Sequence, residues 1–192
     1  MASATIMIIR HAEKPNDEVK GIDDGGAQDK ESLTPRGWAR AGALACLFAP
    51  AGSMKVGDLP VPSRIYSSAR QRHDKVNGER IGSKSYRPTQ TVAFVAEKLG
   101  LEPIMKFTAG QEGDLADVLK ALSGATLVSW QHERILEIAK GILGQLPPEV
   151  PQKWPDKRFD VVWVFEKENG GKSWKFRQVC QLLLPGDSSK PI

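Results

Sequence analysis

The sequence predicts an α/β fold of three layers, with a mostly parallel sheet between two layers of helices. Short apolar runs alternate with segments that are apolar at helical spacing for most of the chain, which is typical of strands joined by crossover helices. Near the end, two β-rich runs flank Asn169-Gly170-Gly171, a strong signal for an antiparallel hairpin. The chain has 192 residues and no internal repeat, so we expect one domain over 1–192.

The first strand is predicted at 6–9, an apolar run that suits a buried strand and is too short for a buried helix of usual length. A polar, glycine-containing loop follows. Thr34-Pro35 then predicts a helix start, because threonine is a good N-cap and proline suits the first helical position. This helix is expected to run to Phe48, before the breakers at 50–52.

The remaining elements follow from the same patterns. Arg87-Pro88 opens a helix that Gly100 ends, and 68–86 has too little apolar content to predict anything but a loop. A proline-rich connection covers 147–155. Further strands are expected at 64–67, 104–107, 126–128, 160–165 and 174–184, and further helices over 115–122 and 135–143.

The composition narrows the range of possible functions. Lys and Arg number 27 against 23 Asp and Glu, a mild excess that tolerates anionic small molecules but does not argue for nucleic acid. Cys46 and Cys180 lack metal-ligand spacing, so we expect no metal and no cofactor. Neither a secretory signal nor a membrane span is evident, which predicts a soluble, cytoplasmic protein.

Two histidines directly follow predicted strands. His11, with Arg10 before it, ends the first strand, and His132 comes just after the strand at 126–128. The carboxyl ends of parallel strands share one edge of a sheet, where ligands bind. Histidine there can act as nucleophile, base or metal ligand, and arginine offers a planar fork of donors to phosphate or carboxylate.

Five segments follow one another in a characteristic order: RHAEKP at 10–15, LTPRGWARA at 33–41, IYSS at 65–68, SYRPTQT at 85–91 and LVSWQH at 127–132. This series, which spans nearly the whole chain, resembles the histidine phosphatase superfamily with its phosphoglycerate mutase-like fold. The resemblance implies that His11 is a nucleophile that carries the phosphoryl group. It also implies that Arg10, Arg87 and His132 complete the phosphate pocket.

The physics of phosphoryl transfer agrees with these roles. The reaction depends mainly on positioning and charge stabilisation, and the three equatorial oxygens need cationic donors. A neutral imidazole can attack phosphorus when its other ring nitrogen is tied down, usually by a backbone carbonyl.

The general acid departs from the family pattern. A carboxylic acid should protonate the leaving oxygen and later activate water. We favour Glu133, directly after the second histidine; Glu112 after the third strand is the first alternative. Asp114 and Glu13 are further alternatives, as is a site without an acid, which suits substrates with good leaving groups.

A second departure is an insertion at 69–84. The stretch from Arg64 to Arg87 holds seven Lys or Arg and two acids. It is either a solvated mobile loop or a basic lid that holds a second anionic group of the substrate. His73, within it, is interpreted as a solvent-facing residue.

We therefore expect a metal-independent phosphatase, a hydrolase acting on a phosphorylated small molecule through a phosphohistidine. The alternatives are a phosphohistidine-protein phosphatase, a phosphoglycerate mutase and a non-catalytic module that binds a phosphorylated ligand. An intact His11 argues against the last, since a pure binder does not need a nucleophile.

Overall fold

The computed structural model describes residues 3–52, 58–71, 74–76, 79–171 and 173–192, with side chains described outside 72–80. Strands and helices are numbered here in chain order. The strands are β1 (Ala4–Arg10), β2 (Arg64–Ser67), β3 (Asp74–Val76), β4 (Glu79–Ile81), β5 (Gly124–Trp130), β6 (Val161–Lys167) and β7 (Lys175–Cys180). The helices are α1 (Pro35–Phe48), α2 (Arg87–Leu99), α3 (Glu112–Ala121) and α4 (His132–Leu143).

The main sheet confirms the predicted fold class. Its five strands lie in the order β2-β5-β1-β6-β7, with β2, β5 and β1 parallel and with β6 and β7 added antiparallel. Helices α1 and α2 pack together, as do α3 and α4. Side chains of the first pair share one core cluster with one face of the sheet, and side chains of the second pair share another cluster with the opposite face.

Strand β1 explains why its sequence is a continuous apolar run. Ile6 and Ile8 belong to the cluster under α3 and α4, whereas Met7 and Ile9 belong to the cluster under α1 and α2. All four are 0–2% exposed. A strand buried on both faces needs apolar residues at every position, and such a strand sits at the centre of the sheet.

The predicted ends of α1 and α2 are confirmed, whereas α3 and α4 each begin three residues earlier than expected. Thr34 caps α1 by accepting a hydrogen bond from the Gly37 amide at 3.1 Å, and Pro35 occupies the first turn. Gly100 ends α2 with a left-handed φ of 63°, which glycine adopts without strain. Across the described residues, none of the helices is long and apolar enough to cross a membrane.

The strand predicted at 104–107 is wrong. The segment makes a single parallel bridge, between Ile104 and Tyr66 at the β2 edge of the sheet. Pro103 supplies no amide to a ladder, and Ile104 and Met105 are exposed, so burial does not extend the pairing.

The loop predicted over 68–86 is also wrong in part. It contains the short antiparallel hairpin β3–β4, whose base is joined by a 2.8 Å hydrogen bond from the Gln71 amide to the Ser83 carbonyl. A polar sequence concealed this hairpin. Arg72 and His73 lie outside the described residues.

A buried arginine joins the loop after β1 to the chain after β7. Arg40, on α1, is 2% exposed and donates to the carboxylate of Glu13 at 2.9–3.1 Å and to that of Asp187 at 2.7 and 3.0 Å. Burial alone would lower the pKa of Arg40, but the two carboxylates raise it above its usual value. This ion cluster therefore fixes the backbone two residues beyond His11.

Replacing Arg40 by Met should destabilise the fold by about 3–5 kcal/mol, because two carboxylates are then left without their buried partner. Urea unfolding followed by tryptophan fluorescence measures this loss. The matched control is Arg36→Met: Arg36 contacts the same Glu13 at 3.2 Å, but its side chain is 48% exposed, so its loss should stay below about 1 kcal/mol. Equal losses in the two variants would show that burial of the Arg40 pair is not what matters.

Candidate active site

The pairing of β1 with β5 brings the two predicted histidines together. Arg10 lies opposite Trp130, and the His11 amide donates to the Trp130 carbonyl at 2.9 Å. His11 and His132 thus leave neighbouring parallel strands at the same edge. Their ring centroids are 6.4 Å apart, with the rings nearly perpendicular at 85°.

The tautomer of His11 is fixed by the backbone. Its Nδ1 lies 2.8 Å from the Ala12 carbonyl oxygen, which can only accept, so Nδ1 carries the proton and Nε2 is left with a free lone pair. Burial, followed by the charge of Arg87, holds the pKa of His11 well below its usual 6.5. The imidazole is therefore neutral at physiological pH, as a nucleophile must be.

The guanidinium group of Arg10 is held by hydrogen bonds at one nitrogen and has no hydrogen-bond partner at the other two. Its Nη1 donates to the carbonyls of Pro155, Asp156 and Arg158 at 2.6–3.3 Å, and its guanidinium lies 3.8 Å from the ring centroid of Phe159. Nε and Nη2 are buried without a partner. Burial lowers the pKa of Arg10 to about 10, which still leaves it charged at neutral pH.

Arg87 begins α2, as predicted, and points inward. Its side chain is 15% exposed, and Nη1 donates to the Lys30 carbonyl at 2.9 Å. Nε is buried with no partner, and the Glu31 carboxylate lies 4.0 Å from Nη2. Burial lowers the pKa of Arg87. The site thus holds a second arginine with an unused donor.

His132 lies between two carboxylates. Its Nε2 is hydrogen-bonded to Asp156 at 3.0 Å, and its Nδ1 is 3.0 Å from a Glu133 oxygen without hydrogen-bond alignment. Burial would raise the pKa of Glu133, but the contact with His132 and a hydrogen bond from its own backbone amide lower it to about 2. Glu133 is therefore ionised in the unliganded site.

A cavity of about 330 Å³ opens at this edge. Arg10 and His132 are not among its lining residues; both are almost fully buried beside it. The lining comprises His11, Lys14, Gly82, Ser83, Ser85, Arg87, Ala109, Gln131, Glu133 and Arg134.

The carboxylates considered as general acids are placed very differently. Only Glu133 lines the cavity, with 60% of its side chain exposed. Glu112 is buried and accepts hydrogen bonds from the Gly110 amide at 3.0 and 3.1 Å and from Trp130 Nε1 at 2.9 Å. Asp114 is exposed on α3, and Glu13 is committed to Arg40.

Three residues at the site carry no prediction from the sequence. Asp156 touches His132 through its carboxylate and Arg10 through its carbonyl, yet it sits at the end of a proline-rich connection that gives no signal of chemistry. Lys14 and Arg134 line the cavity. They follow the two histidines by three and two positions, which is the one signal that could have found them.

A larger cavity, of about 1250 Å³, lies along α2 and includes Trp38, Arg70 and Phe94. None of the predicted site residues lines it. Among the described residues, no group of three or more His, Cys, Asp or Glu is arranged to hold a metal ion.

Solved structures of similar fold give the comparison with known proteins. The protein histidine phosphatase SixA, in complex with tungstate, is 15% identical with a TM-score of 0.53, over 92% of this chain and 97% of SixA. A mycobacterial glucosyl-3-phosphoglycerate phosphatase is 12% identical with a TM-score of 0.54, over 93% of this chain and 98% of its own. The phosphoglycerate mutase of Plasmodium falciparum is 12% identical with a TM-score of 0.51, over 100% of both chains.

These likenesses establish the fold. No protein family model matches the chain, and no curated protein matches it in sequence. The chain has the phosphoglycerate mutase-like fold of the histidine phosphatase superfamily, which confirms at the level of the fold the resemblance carried by its motifs.

The unused donors predict anion binding. Inorganic phosphate should bind at this edge, and Arg87→Gln should weaken it about 10- to 100-fold, the effect of losing a charge-assisted hydrogen bond. Isothermal titration measures both affinities. The control is Arg64→Gln, at the opposite end of β2, where the guanidinium donates to the Ser123 carbonyl; its affinity should equal that of the wild type. Equal affinity for all three proteins would place the anion elsewhere.

Proposed function

We propose that this protein is a metal-independent phosphatase that hydrolyses phosphomonoesters through a phosphohistidine on His11. The observation that carries the proposal is a neutral histidine, with its tautomer fixed, beside buried donors that have no partner. Those donors are Nε and Nη2 of Arg10 and Nε of Arg87. Buried donors are normally satisfied, so their presence favours an oxyanion as the missing partner.

In the first step, Nε2 of His11 attacks phosphorus and the bond between phosphorus and the leaving oxygen breaks. Arg10, Arg87 and His132 stabilise the charge on the phosphoryl oxygens. Glu133 gives its proton to the leaving oxygen, which departs as an alcohol. The tungstate bound to SixA is a tetrahedral oxyanion of the kind that such a pocket would hold.

In the second step, the carboxylate of Glu133 takes a proton from water, and the oxygen of that water attacks phosphorus. The bond to Nε2 breaks and inorganic phosphate leaves, which restores neutral His11. The pKa of Glu133 near 2 in the empty site keeps its carboxylate ionised and therefore able to accept this proton. For the first step, the bound phosphoryl group supplies like-charge repulsion that raises this pKa and favours the protonated acid.

Hydrolysis is favoured over phosphoryl transfer to a second substrate. A mutase must shield its phosphoenzyme from water, whereas here the side chain of Glu133 at the cavity is 60% exposed. Water therefore has access to the group that would activate it.

His11→Ala should abolish turnover, because the group that would carry the phosphoryl group is then missing. Rapid quenching of the wild type with labelled substrate should leave phosphate on His11 that is labile in acid and stable in base. Activity on an aryl phosphate should survive a chelator. Label on a serine or cysteine would refute the mechanism.

Glu133→Gln should lower kcat for alkyl phosphates by about 10²-fold, the usual scale of general acid–base catalysis, and should affect an aryl phosphate much less, because a phenolate leaves without a proton. Steady-state kinetics on both substrates measure this difference. Equal losses on both would point instead to a structural role for Glu133.

The matched control is Glu112→Gln. Glu112 accepts hydrogen bonds from the Gly110 amide and from the Trp130 indole, away from the cavity. Its variant should therefore lose stability without distinguishing the two substrates. A selective loss on alkyl phosphates in this variant, with none in Glu133→Gln, would move the acid to the first turn of α3.

A further inference from the structure

The cavity holds two cations beyond those that a single phosphoryl group requires. Lys14 and Arg134 both line it. Within the part of the chain that the structure describes, neither side chain makes a hydrogen bond or an ion pair. The charge of Lys14 does reach Asp156, where it adds to the larger effects of the His132 hydrogen bond and of the Lys153 charge in lowering that pKa.

Other arginines near this edge are not free in this way. Arg40 is bound to Glu13 and Asp187, and Arg158 donates to Asp160 at 2.7 Å. Arg36 also contacts Glu13. Lys14 and Arg134 differ from these arginines because, among the described residues, neither has a carboxylate partner.

A count of the charged side chains around the cavity shows an excess of positive charge. The lining carries three cations, Lys14, Arg87 and Arg134, against the single carboxylate of Glu133, and Arg10 adds a further positive charge behind the wall. With a phosphomonoester dianion bound to Arg10 and Arg87 and with Glu133 ionised, one positive charge of Lys14 and Arg134 is left without a counter-charge. Like charges gathered in a cleft raise the local potential and attract anions.

The positions of the two cations set where the second charge lies. Lys14 follows His11 along the loop after β1, and Arg134 is in the first turn of α4, next to Glu133. The residue that would protonate the leaving oxygen is thus adjacent to Arg134. Both cations line the open cavity, whereas Arg10 and His132 lie buried beside it.

We propose that the substrate is a small phosphomonoester with a second anionic group, a carboxylate or another phosphate, bound by Lys14 and Arg134. This inference rests on the proposed function for the phosphoryl end. A cavity of about 330 Å³ is at the small end of the range for ligand sites, which favours a compact metabolite over a folded phosphoprotein.

The test compares matched substrates that differ in one anionic group: phosphoglycolate against ethyl phosphate, and 1,3-propanediol bisphosphate against propyl phosphate. In at least one pair, the wild type should prefer the member with two anionic groups by about tenfold or more in kcat/KM. Lys14→Gln and Arg134→Gln should each reduce that preference about fivefold, the effect of one partly exposed charge pair.

The control is Lys153→Gln. Lys153 is exposed on the loop before Asp156 and does not line the cavity, so removing the same charge there should leave the preference unchanged. An equal reduction in this variant would assign the preference to the general positive field and overturn the subsite.

Phenyl phosphate separates the two proposals. If it is hydrolysed but the wild type treats both members of each pair alike, the second subsite is refuted and the phosphatase stands. If nothing is hydrolysed, the same pairs are compared by isothermal titration. Tighter binding of phosphoglycolate that is lost in Arg134→Gln would then support the subsite and refute the phosphatase, and equal binding would refute both.

Discussion

The register between β1 and β5 is the constraint on which the rest of the site depends. Arg10 pairs with Trp130, so the two parallel strands end side by side and deliver His11 and His132 to one edge. The buried faces of β1 leave no freedom to slip, because a shift of one residue would exchange every side chain between the two cores. The packing that makes β1 a central strand therefore also sets the separation of the two imidazoles.

Pre-arranged charge in the empty site comes at a cost to stability. Buried donors without partners each cost about 1–3 kcal/mol, and Arg10 alone holds two. The carbonyls of 155–158 and the ring of Phe159 hold its guanidinium in place despite this cost. An arriving oxyanion then meets donors that are already oriented and do not have to reorganise, which is how a protein stabilises developing charge more effectively than water does.

Local sequence patterns predicted most of the fold. They failed where tertiary contacts determine whether a strand forms or where a side chain lies. The cap at Thr34 and the two-sided burial of β1 are local signals, and the structure agrees with both. The apolar run at 104–107 looked like a strand, but Pro103 and solvent exposure limit it to one bridge. Glu112 and Glu133 are both first-turn acids in the sequence, and only the fold shows that one is buried against an indole and the other faces the cavity. Asp156 reaches the site through a loop path that no short-range pattern encodes.

The topology also has a consequence for the order in which the molecule is built. During synthesis β1 emerges first, yet its two neighbours pair it with residues about 120 and about 160 positions later. Such distant pairing makes folding slow and leaves a mostly apolar strand exposed while the chain grows. His11 therefore gains its surroundings only after β6 and the segment at 155–158 that holds Arg10 have left the ribosome, so the site is first complete when the last third of the chain has been made.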